Sequence, residues 1–105
     1  MNVQIKKINL KNLVSYKIYN KTIPNQSNNQ TFLLEINLSK KDFKSGDLIA
    51  ITDLENKVER YYSLGQGMNG LAIICVRKIP NGICSSYLSE INIGSNIRAR
   101  IEKNK

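Results

Sequence analysis

Phe32, Leu34, Ile36 and Leu38 recur at every second position of residues 31–38. A period of two places them on one face of a half-buried strand. Residues 48–52 and 70–76 are almost wholly apolar, the pattern of strands covered on both sides. Residues 96–101 alternate again, with Ile97, Ala99 and Ile101 set against Arg98 and Arg100. Near the N-terminus, residues 3–10 carry Val3 and Ile5 and then slip phase to Ile8 and Leu10, and residues 13–19 form a second run.

Turn chemistry separates these runs. Ser45-Gly46-Asp47 predicts a tight turn, residues 65–70 a glycine-rich hairpin connection, and Pro80-Asn81-Gly82 and Ile93-Gly94-Ser95-Asn96 two more turns. Residues 21–30, with Pro24 and several asparagines, predict an exposed loop. One segment has helical spacing: in residues 85–91, Tyr87, Leu88 and Ile91 share a face, with Cys84 or Ser85 at the cap. Short strands, frequent turns and a single short helix predict a mainly β fold. The expected architecture is a six-stranded antiparallel Greek-key barrel, with its helix after the Gly-x-Cys-Ser turn.

Composition narrows the chemistry. The 105 residues suffice for one domain spanning 1–105, with one modest core. No run approaches the roughly 18–20 apolar residues that cross a bilayer, and no signal-peptide pattern opens the chain. We therefore expect a cytoplasmic protein without a membrane partner. Histidine is absent, which excludes Ser-His-Asp and Cys-His catalysis and argues against zinc. Cys75 and Cys84 form neither a metal knuckle nor a disulfide framework, and the eight carboxylates are scattered along the chain. Any chemistry here is expected to come from a cofactor.

The formal net charge is +8. Lys6, Lys7, Lys11, Lys17 and Lys21 fall within the first 34 residues, which contain no acid. Such a face suits an acidic partner or a nucleic acid, although a charge run is also what solvated strand faces look like.

Two segments stand out. Arg60-Tyr61-Tyr62-Ser63 ends a strand with a cation, aromatic rings and a hydroxyl. Gly82-Ile83-Cys84-Ser85-Ser86-Tyr87-Leu88 sets a glycine before a helix, where backbone N–H groups and the positive end of the dipole favour phosphate. Alternation puts Arg60 and Tyr62 on one face and Tyr61 and Ser63 on the other, unless a bulge swings Ser63 beside Tyr62. Charge, a flat ring and a helix start are together what a flavin dinucleotide needs. Taken singly, each segment also reads as an ordinary strand end or turn–helix connection.

In this order the motifs resemble the FAD-binding barrel of the ferredoxin–NADP reductase superfamily, most closely its sulfite reductase flavoprotein and cytochrome reductase branch. The resemblance runs from Phe43 to the C-terminus. Phe43-Lys44-Ser45-Gly46-Asp47-Leu48-Ile49-Ala50-Ile51 looks like the family's F-x-x-G-[DQ] turn and strand. Arg60-Tyr61-Tyr62-Ser63-Leu64 matches R-x-Y-S-[IL], Cys75-Val76-Arg77 matches C-V-[KR], and Gly82 to Leu88 match G-x-[CA]-S-x-[YFW]-L.

The resemblance implies that Arg60 pairs with the FAD diphosphate, Tyr62 packs on the isoalloxazine, and Ser63 sits by its N5 edge. Tyr61 belongs to the same binding segment. Ile74, Cys75, Val76 and Arg77 would line the ribose and adenine side. Gly82, Ile83, Cys84 and Ser85 would hold the diphosphate through backbone N–H groups, with Cys84 near an approaching nicotinamide. Ser63 and Cys84 are the implied catalytic positions, and NAD(P)H and an acidic flavodoxin-like or other redox protein the implied partners.

The chain also departs from the family. A pyridine-nucleotide domain, which takes on the order of 100 residues, does not follow, and only 14 positions separate Gly46 from Arg60, leaving no room for a large insertion. Leu64-Gly65-Gln66-Gly67 replaces the usual small-residue run. The expectation is an FAD domain excised or truncated from a larger reductase, able to bind flavin but not to turn over NADPH alone. The alternative is a small basic barrel that binds single-stranded nucleic acid without flavin.

Overall fold

Burial follows the predicted alternation. Phe32, Leu34, Ile36 and Leu38 are all buried, at 5% exposure or less, in a computed structural model that describes residues 13–23, 30–38, 42–55 and 58–104. The run at 3–10, residues 24–29 of the predicted loop, and Lys6, Lys7 and Lys11 lie outside the described residues.

Seven strands and one helix make up the described chain. The strands are β1 (Val14–Thr22), β2 (Thr31–Asn37), β3 (Leu48–Thr52), β4 (Glu59–Ser63), β5 (Gly65–Gln66), β6 (Ala72–Arg77) and β7 (Asn96–Glu102). Helix α1 spans Ile83–Glu90, and a 3-10 turn over Met68–Gly70 joins β5 to β6. All seven strands form one antiparallel sheet in the order β4-β3-β7-β1-β2-β6-β5. A bulge at Tyr19 shifts the β1–β2 register between Ile18 and Asn20.

This sheet differs from the expected six-stranded closed barrel. Its ladders run from β4 to β5 without joining these two ends. The chain itself bridges them, because Leu64 alone separates β4 from β5. Leu64 N–H donates to Asp47 O at 2.7 Å and Leu64 O accepts from Gly46 N–H at 2.9 Å, and the next residue, Gly65, pairs with Ile73 on β6. The sheet therefore curls until β4 lies alongside β6.

One core fills the curl. Ile18, Leu34, Ile36, Ile49, Ile51, Ile74 and Ile97 come from five different strands, and α1 adds Cys84, Leu88 and Ile91 at i, i+4 and i+7. Each such aliphatic side chain contributes roughly 1.5–3 kcal/mol on burial, so this cluster dominates the fold's stability. From β3, Ile49 to Thr52 are buried on both faces, as predicted. β6 is not: Ala72, Ile74 and Val76 are buried, while Cys75 and Arg77 face solvent. An apolar Leu71-to-Val76 run thus conceals a one-sided strand whose outer face stays uncovered.

The helix begins two residues earlier than predicted. Gly82 is its N-cap, and Cys84 and Ser85 already lie inside it. At its other end Lys21 Nζ donates to Ser89 O at 2.7 Å and Ile91 O at 3.1 Å. A cation on the terminal carbonyls favours the negative end of the helix dipole.

Candidate functional site

Strand β4 presents its side chains in strict alternation, fixed by an uninterrupted ladder with β3 from Leu48↔Ser63 to Thr52↔Glu59. At the other end of this hairpin the buried Asp53 carboxylate accepts Val58 N–H at 2.8 Å and Glu55 N–H at 3.4 Å. Arg60 and Tyr62 share the face of Ile51 and Ile49, while Glu59, Tyr61 and Ser63 share the opposite face. No register shift occurs in this ladder, so no bulge carries Ser63 to Tyr62. Ser63 is exposed at the strand end.

Arg60 is exposed, and its guanidinium donates to Glu59 O at 3.0 Å. Among the described residues no carboxylate neutralises it. Tyr62 is half-buried and packs against the core.

Helix α1 is aimed by the turn before it. Gly82 N–H donates to Ile79 O at 2.8 Å, and Ser85 Oγ accepts Ile79 N–H at 3.1 Å. The first helical bond is Ser86 N–H to Gly82 O at 3.0 Å. The N–H groups of Ile83, Cys84 and Ser85 precede it and have no acceptor within the helix. Gly82 has an ordinary extended backbone, φ −79°. Its glycine has a packing cause: a Cβ there would meet Ser85 Oγ at 2.6 Å and Ile79 O at 3.0 Å.

The two motifs meet at one contact. Tyr62 Oη lies 3.9 Å from Cys84 Sγ, which in turn lies 3.7 Å from Ile51 O. Burial pushes the Tyr62 hydroxyl well above its ordinary range, and the adjacent thiol adds to the effect. Burial likewise pushes the Cys84 thiol up; the Tyr62 hydroxyl opposes this and the Asp53 carboxylate adds to it. Both groups are therefore neutral near pH 7. The positive charge of Arg60 bears on each of them, favouring the ionised form of both. A cation, an aromatic ring and a helix start thus occupy one locality.

The other predicted positions lie elsewhere. Ile74 and Val76 are fully buried in the core, which leaves only their backbone free to meet a ligand. Cys75 and Arg77 point outward beside Leu33 and Thr31 of β2, and among the described residues no hydrogen bond or ion pair ties them to Arg60, Tyr62 or Cys84. Ile83 is exposed on the first turn of α1. Lys17 is exposed on β1, whereas Lys21 is engaged with the helix end. Two cavities, of about 240 and 410 Å³, border the C-terminal half of α1, away from the Tyr62–Cys84 contact.

Two charged arrangements escaped the sequence reading. Arg100 donates to both carboxylate oxygens of Glu59, at 2.6 and 2.9 Å, to Tyr61 Oη at 3.0 Å and to Glu102 Oε1 at 3.2 Å. Tyr61 is thereby held on the face opposite Arg60 and Tyr62. Asp47 accepts Lys44 N–H and Asn104 N–H, each at 2.9 Å, and pairs with Lys103 at 3.3 Å. Those backbone bonds, helped by Lys103, hold its carboxyl below the usual range. No local motif marks either arrangement, because Glu59 and Tyr61 are 41 and 39 positions from Arg100, and Asn104 is 57 from Asp47.

The fold is similar to that of ferredoxin–NADP+ reductase from Plasmodium falciparum with 2′P-AMP, at TM-score 0.75 and 24% identity over 92% of this chain and 41% of that one. A point mutant of that reductase in complex with 2′P-AMP gives TM-score 0.76 and 24% identity, covering 92% and 40%. A second mutant gives 0.76 and 22%, covering 92% and 42%. The chain thus spans about two fifths of the length of these structures. No protein-family model and no curated protein sequence matches it.

Proposed function

We propose that this chain is the FAD-binding domain of an NAD(P)H-dependent electron-transfer oxidoreductase of the ferredoxin–NADP+ reductase type, nearest the sulfite reductase flavoprotein branch. The observation that carries the reading is the Tyr62–Cys84 contact, which joins the R-x-Y-S strand end to the G-x-C-S helix start, with Arg60 on the same strand face as Tyr62.

The residues fit the cofactor. Arg60 offers an exposed guanidinium with no carboxylate partner among the described residues, as a diphosphate requires. Ile83, Cys84 and Ser85 offer N–H groups with no acceptor within the helix, at the positive end of α1. Tyr62 offers a half-buried ring for stacking. When bound, FAD supplies the hydride and single-electron chemistry, and the protein orients it. The resemblance assigns Ser63 to the ring edge and Cys84 to the nicotinamide side, although Ser63 lies on the strand face opposite Tyr62 and Cys84 is buried. Ile74 to Arg77 contribute on the adenosine side, Ile74 and Val76 through their backbone.

In this reading NAD(P)H binding and turnover take a nucleotide domain as well as this one, and the basic residues of the N-terminal region dock an acidic redox partner in the cytoplasm. Titration of the purified protein with FAD tests the reading. The expected result is a bound flavin absorbance band and quenched flavin fluorescence, since stacking on Tyr62 quenches emission. A colourless protein that leaves FAD fluorescence unchanged at saturating concentration overturns it.

A further inference from the structure

We infer that Arg100 is a positioning residue for the flavin site, acting through strand β4 without touching the cofactor. The inference rests on the flavin reading above. Among the described residues, strand β4 ends the sheet and is hydrogen-bonded through its backbone to β3 alone. A five-residue terminal strand with one ladder is the element most prone to slide or fray. Yet its side chains Arg60 and Tyr62 must meet the start of α1 within a few tenths of an ångström.

A guanidinium from two strands away supplies the missing constraint. Ala50 pairs with Tyr61 on one side and with Arg100 on the other, so the three form a row across β4, β3 and β7. The small Ala50 side chain, fully covered, lets Arg100 reach across β3. Arg100 then binds Glu59 through two hydrogen bonds and Tyr61 Oη through a third, while Glu102 holds Nε.

Glu59 and Tyr61 are alternate residues of one strand. Gripping both with one planar group fixes the position of β4 along its axis and its rotation about it. Because side chains alternate, fixing 59 and 61 on one face fixes the direction of Arg60 and Tyr62 on the other. Arg100 and Glu59 side chains are only 10% and 14% exposed, so water does not substitute for the pair. Lysine cannot replace the fork: it keeps the charge but loses the planar, multidentate geometry.

The test compares wild-type protein with Arg100→Lys and Arg100→Gln. FAD affinity is measured at least 15 °C below each variant's unfolding midpoint, where the unfolded fraction is negligible. The visible circular dichroism of saturated flavin and backbone hydrogen exchange across residues 59–63 are recorded alongside. Arg100→Lys is expected to bind FAD about tenfold more weakly, the lower end of what losing an orienting partner costs at metal sites. It should also change the flavin dichroism and speed exchange in β4 but not in β1 or β2. Glu59→Gln should give the same signature, and the double variant should add little to either single change. If wild type binds FAD while Arg100→Lys and Arg100→Gln keep its affinity, dichroism and β4 exchange, the positioning role is wrong and the flavin reading stands. If wild type binds no FAD, both fall together.

Discussion

The Tyr62 hydroxyl rests 3.9 Å from the Cys84 sulfur, so a strand end and a helix start 22 positions apart in the chain share one contact. That contact is uncharged and protonated on both sides, since burial keeps the phenol and the thiol neutral. The charge of the locality resides in Arg60, beside them and open to solvent. A neutral floor with a cation at its rim suits a ligand that is flat at one end and anionic at the other.

Arg60→Ala should therefore weaken FAD binding by roughly 1.5–3 kcal/mol, the range for hydrogen bonds to a charged group. Arg60→Lys should recover part of the loss, as a point charge without the fork. Fluorescence-quench titration of the three proteins measures the effect, and equal affinities would remove Arg60 from the site.

The two thiols should separate cleanly. Cys75 faces solvent on β6, while Cys84 is 2% exposed and its ionisation is suppressed by burial. A colorimetric thiol reagent should modify one cysteine quickly in the native protein and the second only on unfolding. Mass mapping of the labelled peptides should place the fast site at Cys75; rapid labelling of Cys84 would show that Tyr62 does not cover it.

Acid should act through Asp47. Its carboxyl is held below the ordinary 3.8 by Asn104 N–H, Lys44 N–H and Lys103. A group with a depressed folded value stabilises the fold fully above its unfolded value, and loses that contribution as the pH falls toward the folded one. Unfolding midpoints should thus be flat near neutrality and fall below about pH 4. Asp47→Asn should lower the midpoint at pH 7 and flatten this acid limb, as thermal melts between pH 3 and 7 would show.

Lys21→Met should cost about 1–2 kcal/mol, because two carbonyls at the end of α1 lose a charged donor. Lys17→Met, at an exposed position of β1, should change stability by less than about 0.5 kcal/mol. Urea midpoints at constant m-value distinguish the two.

These lysines also show where sequence reasoning ended. The period-two runs identified β2 and β7, an apolar run identified β3, and the turn residues fixed their limits, because strand faces and turns are set by neighbours in the chain. Ser45-Gly46-Asp47 forms its turn with Asp47 N–H on Lys44 O at 2.9 Å and Gly46 at φ +97°, as the glycine there implied. Lys17 and Lys21 looked alike because both are basic residues of the acid-free N-terminal region, and the structure puts both on β1. Only the docking of α1 distinguishes them, and it is a tertiary event. The same holds for Arg100: Ala50, Glu59, Tyr61 and Glu102 come from three strands, and no spacing announces that they form one row. Gly82 was read toward a phosphate, while its nearest neighbours turned out to be Ser85 and Ile79. The two motifs that meet at Tyr62 and Cys84 were legible in the sequence, but the supports that orient them were not.

Leu64 imposes a limit on how this chain can vary in length. A single residue carries the backbone from one boundary of the sheet to the other, with both of its peptide groups tied to the Gly46–Asp47 turn. Adding or deleting one position there would invert the inside–outside assignment of every residue in the segment that shifted. The 67–71 turn, by contrast, can absorb such changes at its exposed tip. Insertions should thus be tolerated around Met68 and not at Leu64.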